Sequence, residues 1–395
     1  VSTNEKPSRI LFITDNFPPV VGGVAQVARM LAQGMNPERV VVLAPKWPGS
    51  DSVDKKLSFP VYRIRSRDAG PEVERGPAGK TATFFHAINM FIWGLHHYVW
   101  RRCDLVVFPK IWPVAITGYL LGLFGVPYVA YAHGSDIIAP RGRVQSWFRK
   151  RFIENARGII ANSNFTRGYV LKYGVPKART TVIYPRLDMS RFDKSIDVES
   201  FKDKERLAGK KILFIVARLY PNKGIQRVIE VLPEIVKEFP DLVYVVAGEG
   251  PYKESLQGVA RSFGIADHVR FPGNRDIVAF FKACDIYIMT TLWDEEKTYL
   301  ESFGIAFLEA NYCKKPCISG VCGGMPEAVL HEVTGLNANP DRRDRLKEAI
   351  LRLLRDPGYA RKLGEQGHQR VMREFTYQKA GQELDAFLTT LKRAT

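Results

Sequence analysis

Twice along this chain, short runs of aliphatic and β-branched residues alternate with longer segments of helical periodicity, and a polar stretch separates the two series. In the first half, Arg9 to Thr14, Val40 to Ala44, Leu105 to Phe108, Tyr128 to Ala132 and Gly158 to Ala161 read as strands. Strands without polar alternation are buried on both faces, and strands separated by helices pair in parallel. From Met189 to Lys210 the pattern stops. That stretch is rich in Asp, Lys, Ser and Glu, lacks apolar periodicity, and reads as an interdomain linker. The rhythm restarts with Lys211 to Ala217, Val243 to Ala247, Val269 to Phe271, Ile286 to Thr290 and Pro316 to Ser319. Helical segments from about Arg342 to Arg355 and from Tyr377 to Leu391 close the chain. The expectation is an α/β protein of two Rossmann-like, doubly wound domains, 1–190 and 191–375, followed by a helix over 376–395. Ligands of such sheets bind at the carboxyl ends of strands, which predicts a site in a cleft between the two domains.

The length of 395 residues suits this division, since two domains of about 180–200 residues are expected where one ordinary core stops growing. With 46% apolar and 25% charged residues, the composition excludes a disordered or fibrous chain. The formal charge of +17 favours polyanionic partners, whether nucleic acid, an anionic membrane surface or phosphate-bearing substrates. Charge alone does not choose among them. Cys103, Cys284, Cys313, Cys317 and Cys322 lack the paired spacing of a structural zinc site and read as buried, reduced thiols of a cytoplasmic protein. Val1 to Ser8 is polar, so no secretory signal is expected there. The uncharged run Ile111 to Ala132 is long enough to cross a bilayer. Its Pro113, Gly118, Gly122, Gly125 and Pro127 instead predict a buried helix from about Val114 to Phe124, a turn, and a buried strand.

Four segments carry candidate chemistry. Gly22 and Gly23 end the loop after the first strand and open a helix, where bare amides can approach an anion; a tight strand-to-helix turn is the structural alternative. His133, in Ala132-His133-Gly134-Ser135-Asp136, ends a buried strand and can donate to a sugar or phosphate, or sit as a satisfied core histidine. Arg218 and Lys223, in Ala217-Arg218-Leu219-Tyr220-Pro221-Asn222-Lys223-Gly224, can clamp a diphosphate; the alternative is solvated surface charge. In the fourth, Glu301 stands eight residues before Glu309, and the loop ahead of it ends at Tyr299-Leu300. Glu309 lies in an apolar run on a helix starting near Gly304, so it is expected to be buried and to need a partner. Ribose hydroxyls or a core cation would serve, while the amides of Gly304, Ile305 and Ala306 would face a diphosphate.

In this order and spacing the segments, with Pro316-Cys317-Ile318-Ser319 and Gly323-Gly324-Met325-Pro326-Glu327, resemble the retaining GT-B glycosyltransferases of family 4 over nearly the whole chain. The resemblance implies a nucleotide-sugar donor, with no other cofactor. It sets Gly22 and Gly23 near donor phosphate and acceptor, His133 near the donor sugar, and Arg218 and Lys223 on the diphosphate. Glu301 falls on sugar hydroxyls, Glu309 on the ribose, and the loop Gly273-Asn274-Arg275-Asp276 on the base. Ser163 and Arg167 match a further element near the cleft, and the last helix is implied to cross back onto the first domain. Tyr184-Pro185-Arg186-Leu187-Asp188 departs from the family pattern by lacking the glycine of its Pro-Asn/Ser-Gly-Val-Asp hinge turn.

The implied reaction is attack of an acceptor hydroxyl on the anomeric carbon with retention, the leaving diphosphate taking the proton. His133, Glu301, Arg218 and Lys223 are the implied catalytic group, and the absence of an Asp-x-Asp pair leaves no catalytic metal expected. The pattern is nearest to bacterial mannosyltransferases acting on phosphoinositide or polyprenyl-linked acceptors. GDP-mannose is therefore the first donor expected, with UDP-glucose or UDP-N-acetylglucosamine the alternatives. Phe84 to Trp100 is aromatic, free of formal charge apart from histidine, and followed by Arg101-Arg102, which suits either a bilayer interface or a core helix. With the basic excess it points to a peripheral enzyme on the cytoplasmic face of an anionic membrane, using a lipid-linked or glycan acceptor. A nucleotide-sugar epimerase would need no acceptor. A nucleic-acid partner is not expected, since no zinc finger, RNA-recognition or KH signature is present.

Overall fold

The computed structural model describes residues 8–65, 77–138, 142–293 and 301–393. The chain divides into two compact units, Val1–Arg186 with Tyr377–Thr395, and Leu187–Thr376. The first runs β1 (Ile10–Ile13), α1 (Gly23–Gln33), β2 (Val40–Pro45), α2 (Ser50–Asp54), β3 (Val61–Ile64), α3 (Pro77–Trp100), β4 (Leu105–Phe108), α4 (Ala115–Leu123), β5 (Tyr128–Ala132), α5 (Ser135–Ile138), α6 (Arg143–Asn155), β6 (Gly158–Ala161), α7 (Asn164–Lys172) and β7 (Thr180–Val182). These strands form one parallel sheet ordered β3-β2-β1-β4-β5-β6-β7. The second unit runs α8 (Val198–Lys204), β8 (Lys211–Val216), α9 (Ile225–Glu238), β9 (Leu242–Ala247), α10 (Lys253–Ser262), β10 (Val269–Gly273), α11 (Ile277–Ala283), β11 (Ile286–Met289), α12 (Ile305–Tyr312), β12 (Cys317–Ser319), α13 (Met325–Ala328), β13 (Gly335–Asn337), α14 (Arg343–Arg355) and α15 (Pro357–Glu374). Its parallel sheet is ordered β10-β9-β8-β11-β12-β13. The last helix, α16 (Tyr377–Arg393), belongs to the first unit.

Each order reverses once, between β1 and β4 and between β8 and β11. In sheets of this kind the loops on either side of that reversal splay apart at the carboxyl edge and leave room for a ligand.

Successive residues of a strand face opposite sides, and the first sheet uses both. Leu11, Ile13, Val106 and Phe108 join a core with residues of α3, α4 and α6, while Ile10, Phe12, Val107 and Val129 join another with α1 and α16. The uncharged run 111–132 divides into α4 and β5, and no helix of the described residues is long and apolar enough to cross a membrane. Cys103, Cys284 and Cys317 are buried, but Cys313 and Cys322 are only partly so.

Some elements differ from the sequence expectation. β3 and β7 are the edge strands of their sheet, with half-exposed residues and three or four positions each, too few for an apolar run to stand out. α15 is obscured by Gly358, Gly364 and Gly367, yet two of these let it lie against its neighbours: a Cβ on Gly364 would stand 2.1 Å from the Lys314 carbonyl oxygen, and one on Gly367 2.4 Å from the Asn311 side chain. The stretch read as a linker is not free chain. Asp197 caps α8, which packs on α11, and Phe192 is buried against Phe281 and Tyr312. Arg186, where the hinge glycine was expected, is 2% exposed and ion-paired with Glu383 of α16, while its amide donates to the Met30 sulfur at 3.0 Å.

α1 and α16 meet backbone to backbone. A Cβ on Gly381 would stand 1.7 Å from the Gly34 carbonyl oxygen, and one on Gly34 2.1 Å from that of Tyr377. Since overpacking a close contact costs about 1–3 kcal/mol, Gly381→Ala is expected to lower stability by about that amount. Urea unfolding followed by fluorescence measures it.

Candidate functional site

In the second unit the loops beyond β8 and β11 converge. Arg218 follows β8 as an exposed residue with its guanidinium over the Tyr220 ring, 5.6 Å from the centroid. A 3₁₀ turn, Pro221–Lys223, brings the chain to Gly224, whose φ of 69° puts it in the left-handed region. A Cβ there would meet the Thr290 carbonyl oxygen at 2.0 Å, so glycine alone allows this loop to lie on the end of β11. The Leu292 amide donates to the Asn222 carbonyl at 2.8 Å and ties the two loops together.

This arrangement sets Lys223 Nζ 2.8 Å from Glu301 Oε2, both side chains four-fifths buried. Glu301 is fixed from the other side by its backbone. Its carbonyl accepts from the Gly324 amide at 3.0 Å, and a Cβ on Gly324 would lie 1.9 Å from the Ser302 carbonyl oxygen. The Gly323-Gly324 pair is therefore what permits that approach. Arg370 donates to the carbonyls of Glu327 and Ala328, both at 2.9 Å, and so anchors α13 behind it. Tyr299 and Leu300 lie outside the described residues.

Gly304, with a φ of 95°, starts α12 without any side-chain cap, so the amides of Ile305 and Ala306 stand at an unguarded helix start. One turn on, Glu309 is buried. Its nearest cation is the Arg191 guanidinium at 3.6 Å, a half-exposed group that compensates little. Burial outweighs this neighbour and pushes the carboxyl up to about 7. Arg275 turns away to Glu205, just past the end of α8, at 2.8 Å, and Asp276 caps α11, so among the described residues no contact joins that loop to Lys223 or Glu301.

The first unit has its own polar cluster at its reversal point. Lys110, beyond β4, reaches Asp15 at 2.9 Å and Asn16 at 2.8 Å, both beyond β1. The other Asp15 oxygen is buried with no hydrogen-bond partner among the described residues. His133 follows β5, its Nε2 2.7 Å from the Pro109 carbonyl oxygen, its amide held by Asp136 at 2.9 Å. Burial holds its pKa below the ordinary histidine value, so the ring is neutral and Nε2 is the donor to that carbonyl. Gly22 and Gly23 are exposed at the start of α1, where no side chain caps the helix. Ser163 caps α7, and Arg167 donates to Thr180, which ties α7 to β7.

Sequence reasoning missed Lys110, whose signal was a lone charge directly after a buried strand. It also missed Gly248 and Gly250. Cβ atoms there would come within 2.0 Å of the Ala217 and 2.4 Å of the Leu219 carbonyl oxygens, so the loop after β9 braces the one that carries Arg218. Among the described residues no group of three His, Cys, Asp or Glu could hold a metal ion.

Two Rossmann-type parallel sheets in one chain, each with charged groups gathered where its strand order reverses, have the architecture of the GT-B fold. Residues 21–191 match the model described as Glycosyltransferase Family 4 and residues 197–370 that of Glycosyl transferases group 1. The chain is similar, at 27% identity over 98% of its length and 99% of the relative's, to the GDP-mannose-dependent alpha-(1-6)-phosphatidylinositol monomannoside mannosyltransferase of Mycolicibacterium smegmatis. A Corynebacterium glutamicum mannosyltransferase for the monoacylated form is 25% identical over 98% of the chain and 99% of its own. Among solved structures, Anabaena HepE in complex with UDP has a TM-score of 0.78 at 21% identity, covering 97% of this chain and 100% of that one. A Thermosynechococcus elongatus sucrose-phosphate synthase has 0.76 at 20%, covering 98% and 100%. The chain belongs to the GT4-like GT-B glycosyltransferases.

A carboxyl raised from 4.5 to about 7 makes a testable demand on stability. The folded chain holds that proton where the unfolded chain has released it, so stability falls between these two values and levels off above them, by roughly 3 kcal/mol. Glu309→Gln removes the loss. It is expected to be more stable than the parent above pH 7, with the difference shrinking toward pH 4.5; denaturant unfolding of both across this range measures it.

Proposed function

We propose that the chain transfers mannose from GDP-mannose to a hydroxyl of a lipid-linked acceptor at an anionic membrane surface, with retention and without a metal. The observation that carries the donor half is the Lys223–Glu301 pair beside the bare start of α12. The relatives named above, similar along nearly the whole chain, support mannose and GDP.

The pair is poised before any donor arrives. A bound diphosphate takes the Lys223 ammonium, with Arg218 beside it, and releases the Glu301 carboxylate to accept from sugar hydroxyls. Glu309 accepts from the ribose and becomes fully ionised as it does so. The acceptor oxygen bonds to the anomeric carbon while the bond from that carbon to the phosphate oxygen breaks. The acceptor proton passes to the departing phosphate oxygen on the same face, which keeps the anomeric configuration. Lys223 and the amides of Ile305 and Ala306 neutralise the charge that grows on the leaving group.

The acceptor half rests on α3. Phe84, Phe85, Ile92, Trp93, Val99 and Trp100 are exposed on one side, while Ala87, Met90 and His97 are buried on the other. Phe124 at the end of α4 touches Phe91 at 5.4 Å, and Trp147 of α6 touches Tyr119 at 5.2 Å, so exposed rings continue over three helices. A surface of this size, set beside arginines, suits the headgroup region of an anionic bilayer on its cytoplasmic face.

A UDP-sugar donor, UDP-glucose or UDP-N-acetylglucosamine, is the second reading, favoured by the structural neighbour bound to UDP. Melting the protein with GDP, UDP and their sugars decides between them. A rise with GDP-mannose and GDP alone is expected; a rise confined to the uridine compounds replaces the first reading. With the right donor, Lys223→Ala is expected to lower kcat by about 100- to 1,000-fold, the usual cost of one transition-state charge donor, in a protein that still unfolds cooperatively, with its melting temperature somewhat lowered by the unpaired Glu301. Full activity in that variant sinks the assignment. Proton NMR of the anomeric product tests retention, and undiminished turnover in EDTA tests metal independence.

A further inference from the structure

At the amino edge of the first sheet, the opposite edge from Lys110 and His133, a cavity of about 700 Å³ opens between the starts of β1 to β3 and the turn after α3. We propose that this cavity, lined by Arg9, Arg101 and Arg102, binds the phosphate of an anionic lipid headgroup. The proposal rests on the membrane reading of α3 and gives that surface a chemical preference.

Arg101 shows most directly that an anion is wanted. Its guanidinium lies 4.0 Å from the Trp100 ring centroid and 4.8 Å from that of Tyr62, and these two rings, 6.0 Å apart, pack around it and hold it in place. Its Nε is buried with no hydrogen-bond partner among the described residues. A guanidinium held by two rings keeps its place beside the cavity, and a buried donor without an acceptor carries a cost that a nearby anion offsets electrostatically. Arg9 arrives from a distant part of the chain and donates through Nη1 to the Arg101 carbonyl at 3.2 Å, which holds it beside Arg101. Arg102 is exposed and takes the left-handed conformation, φ 51°, that ends the helix.

Glu38 and Asp104 also line the cavity. The Asp104 carboxylate is engaged by the Arg9 amide at 2.8 Å. Three guanidiniums against two carboxylates leave one positive charge, which matches a phosphodiester and not a multivalent anion.

The lipid source follows from Trp100. It is 56% exposed and ends the aromatic stripe of α3, while the same ring packs against the Arg101 guanidinium. If the stripe lies among acyl chains and headgroups, the phosphate layer falls at its polar end, where the arginines stand.

The test uses the full chain and sedimentation with vesicles of phosphatidylcholine alone or mixed with phosphatidylinositol. The double variant Arg9→Gln/Arg102→Gln removes two exposed side chains; Arg143→Gln/Lys150→Gln removes the same charge from α6 as a control. The expected result is a loss of about tenfold or more in affinity for the mixed vesicles in the first pair, a smaller loss in the control, and no change for either on phosphatidylcholine. Equal losses in both pairs, or none in the first, overturn the cavity while leaving the membrane reading intact. Wild-type protein that ignores both kinds of vesicle overturns the membrane reading and this proposal with it. A saturable rise in melting temperature with inorganic phosphate, absent from Arg9→Gln/Arg102→Gln and without effect on vesicle binding, overturns the lipid source in favour of a soluble phosphate.

Discussion

A parallel sheet buried on both faces leaves its polar backbone no place to meet solvent or ligand except at the strand ends, and this constraint organises the whole chain. Every strand of the first sheet except β3 and β7 is almost wholly buried. The charged residues that matter, Asp15, Lys110, Arg218, Lys223 and Glu301, therefore sit one to a few residues past a strand or ahead of a helix. The same constraint requires close loop packing there. Gly224, Gly248, Gly250 and Gly324 each stand where a Cβ would strike another backbone. By letting backbones meet, these glycines set the positions of the cations and carboxylates.

Glu309 shows the opposite economy. A buried carboxyl with one half-exposed cation at 3.6 Å costs stability. A structural residue in that position would gain from being apolar, as its helix neighbours Phe307, Leu308 and Ala310 are. In the function proposed above, a hydroxyl-bearing ligand offsets this cost without adding charge. Lys223 and Glu301 differ in kind: they satisfy each other, which fixes the geometry of both side chains.

Most strands of both sheets could be read from the apolar runs because fully buried strands need no alternation, and their parallel pairing followed from the βαβ rhythm; the strand order, and with it the reversal points, did not. What stayed hidden was whatever depended on contact between distant segments. Edge strands β3 and β7 look like loops because half of each side faces water. α15 looks broken because its glycines serve its packing against Lys314 and Asn311. Lys223 and Glu301 were each legible as site residues, but 78 positions apart, their pairing was not. Arg186 was visible only as a missing glycine; its partner Glu383 lies 197 positions away.

The return of α16 has a consequence for how the protein is made. Ala380, Leu384, Phe387, Leu388 and Leu391 cover the face of the first sheet formed by Ile10, Phe12, Val107 and Val129. Each larger side chain contributes about 1.5–3 kcal/mol on burial, and a domain's whole margin is about 5–15 kcal/mol. On the ribosome, the half that is synthesised first thus has this face covered by α1 alone until Tyr377–Arg393 emerge, by which point the half made second already has all its parts. The unit begun first is the one completed later, and until then part of its apolar flank is open to water.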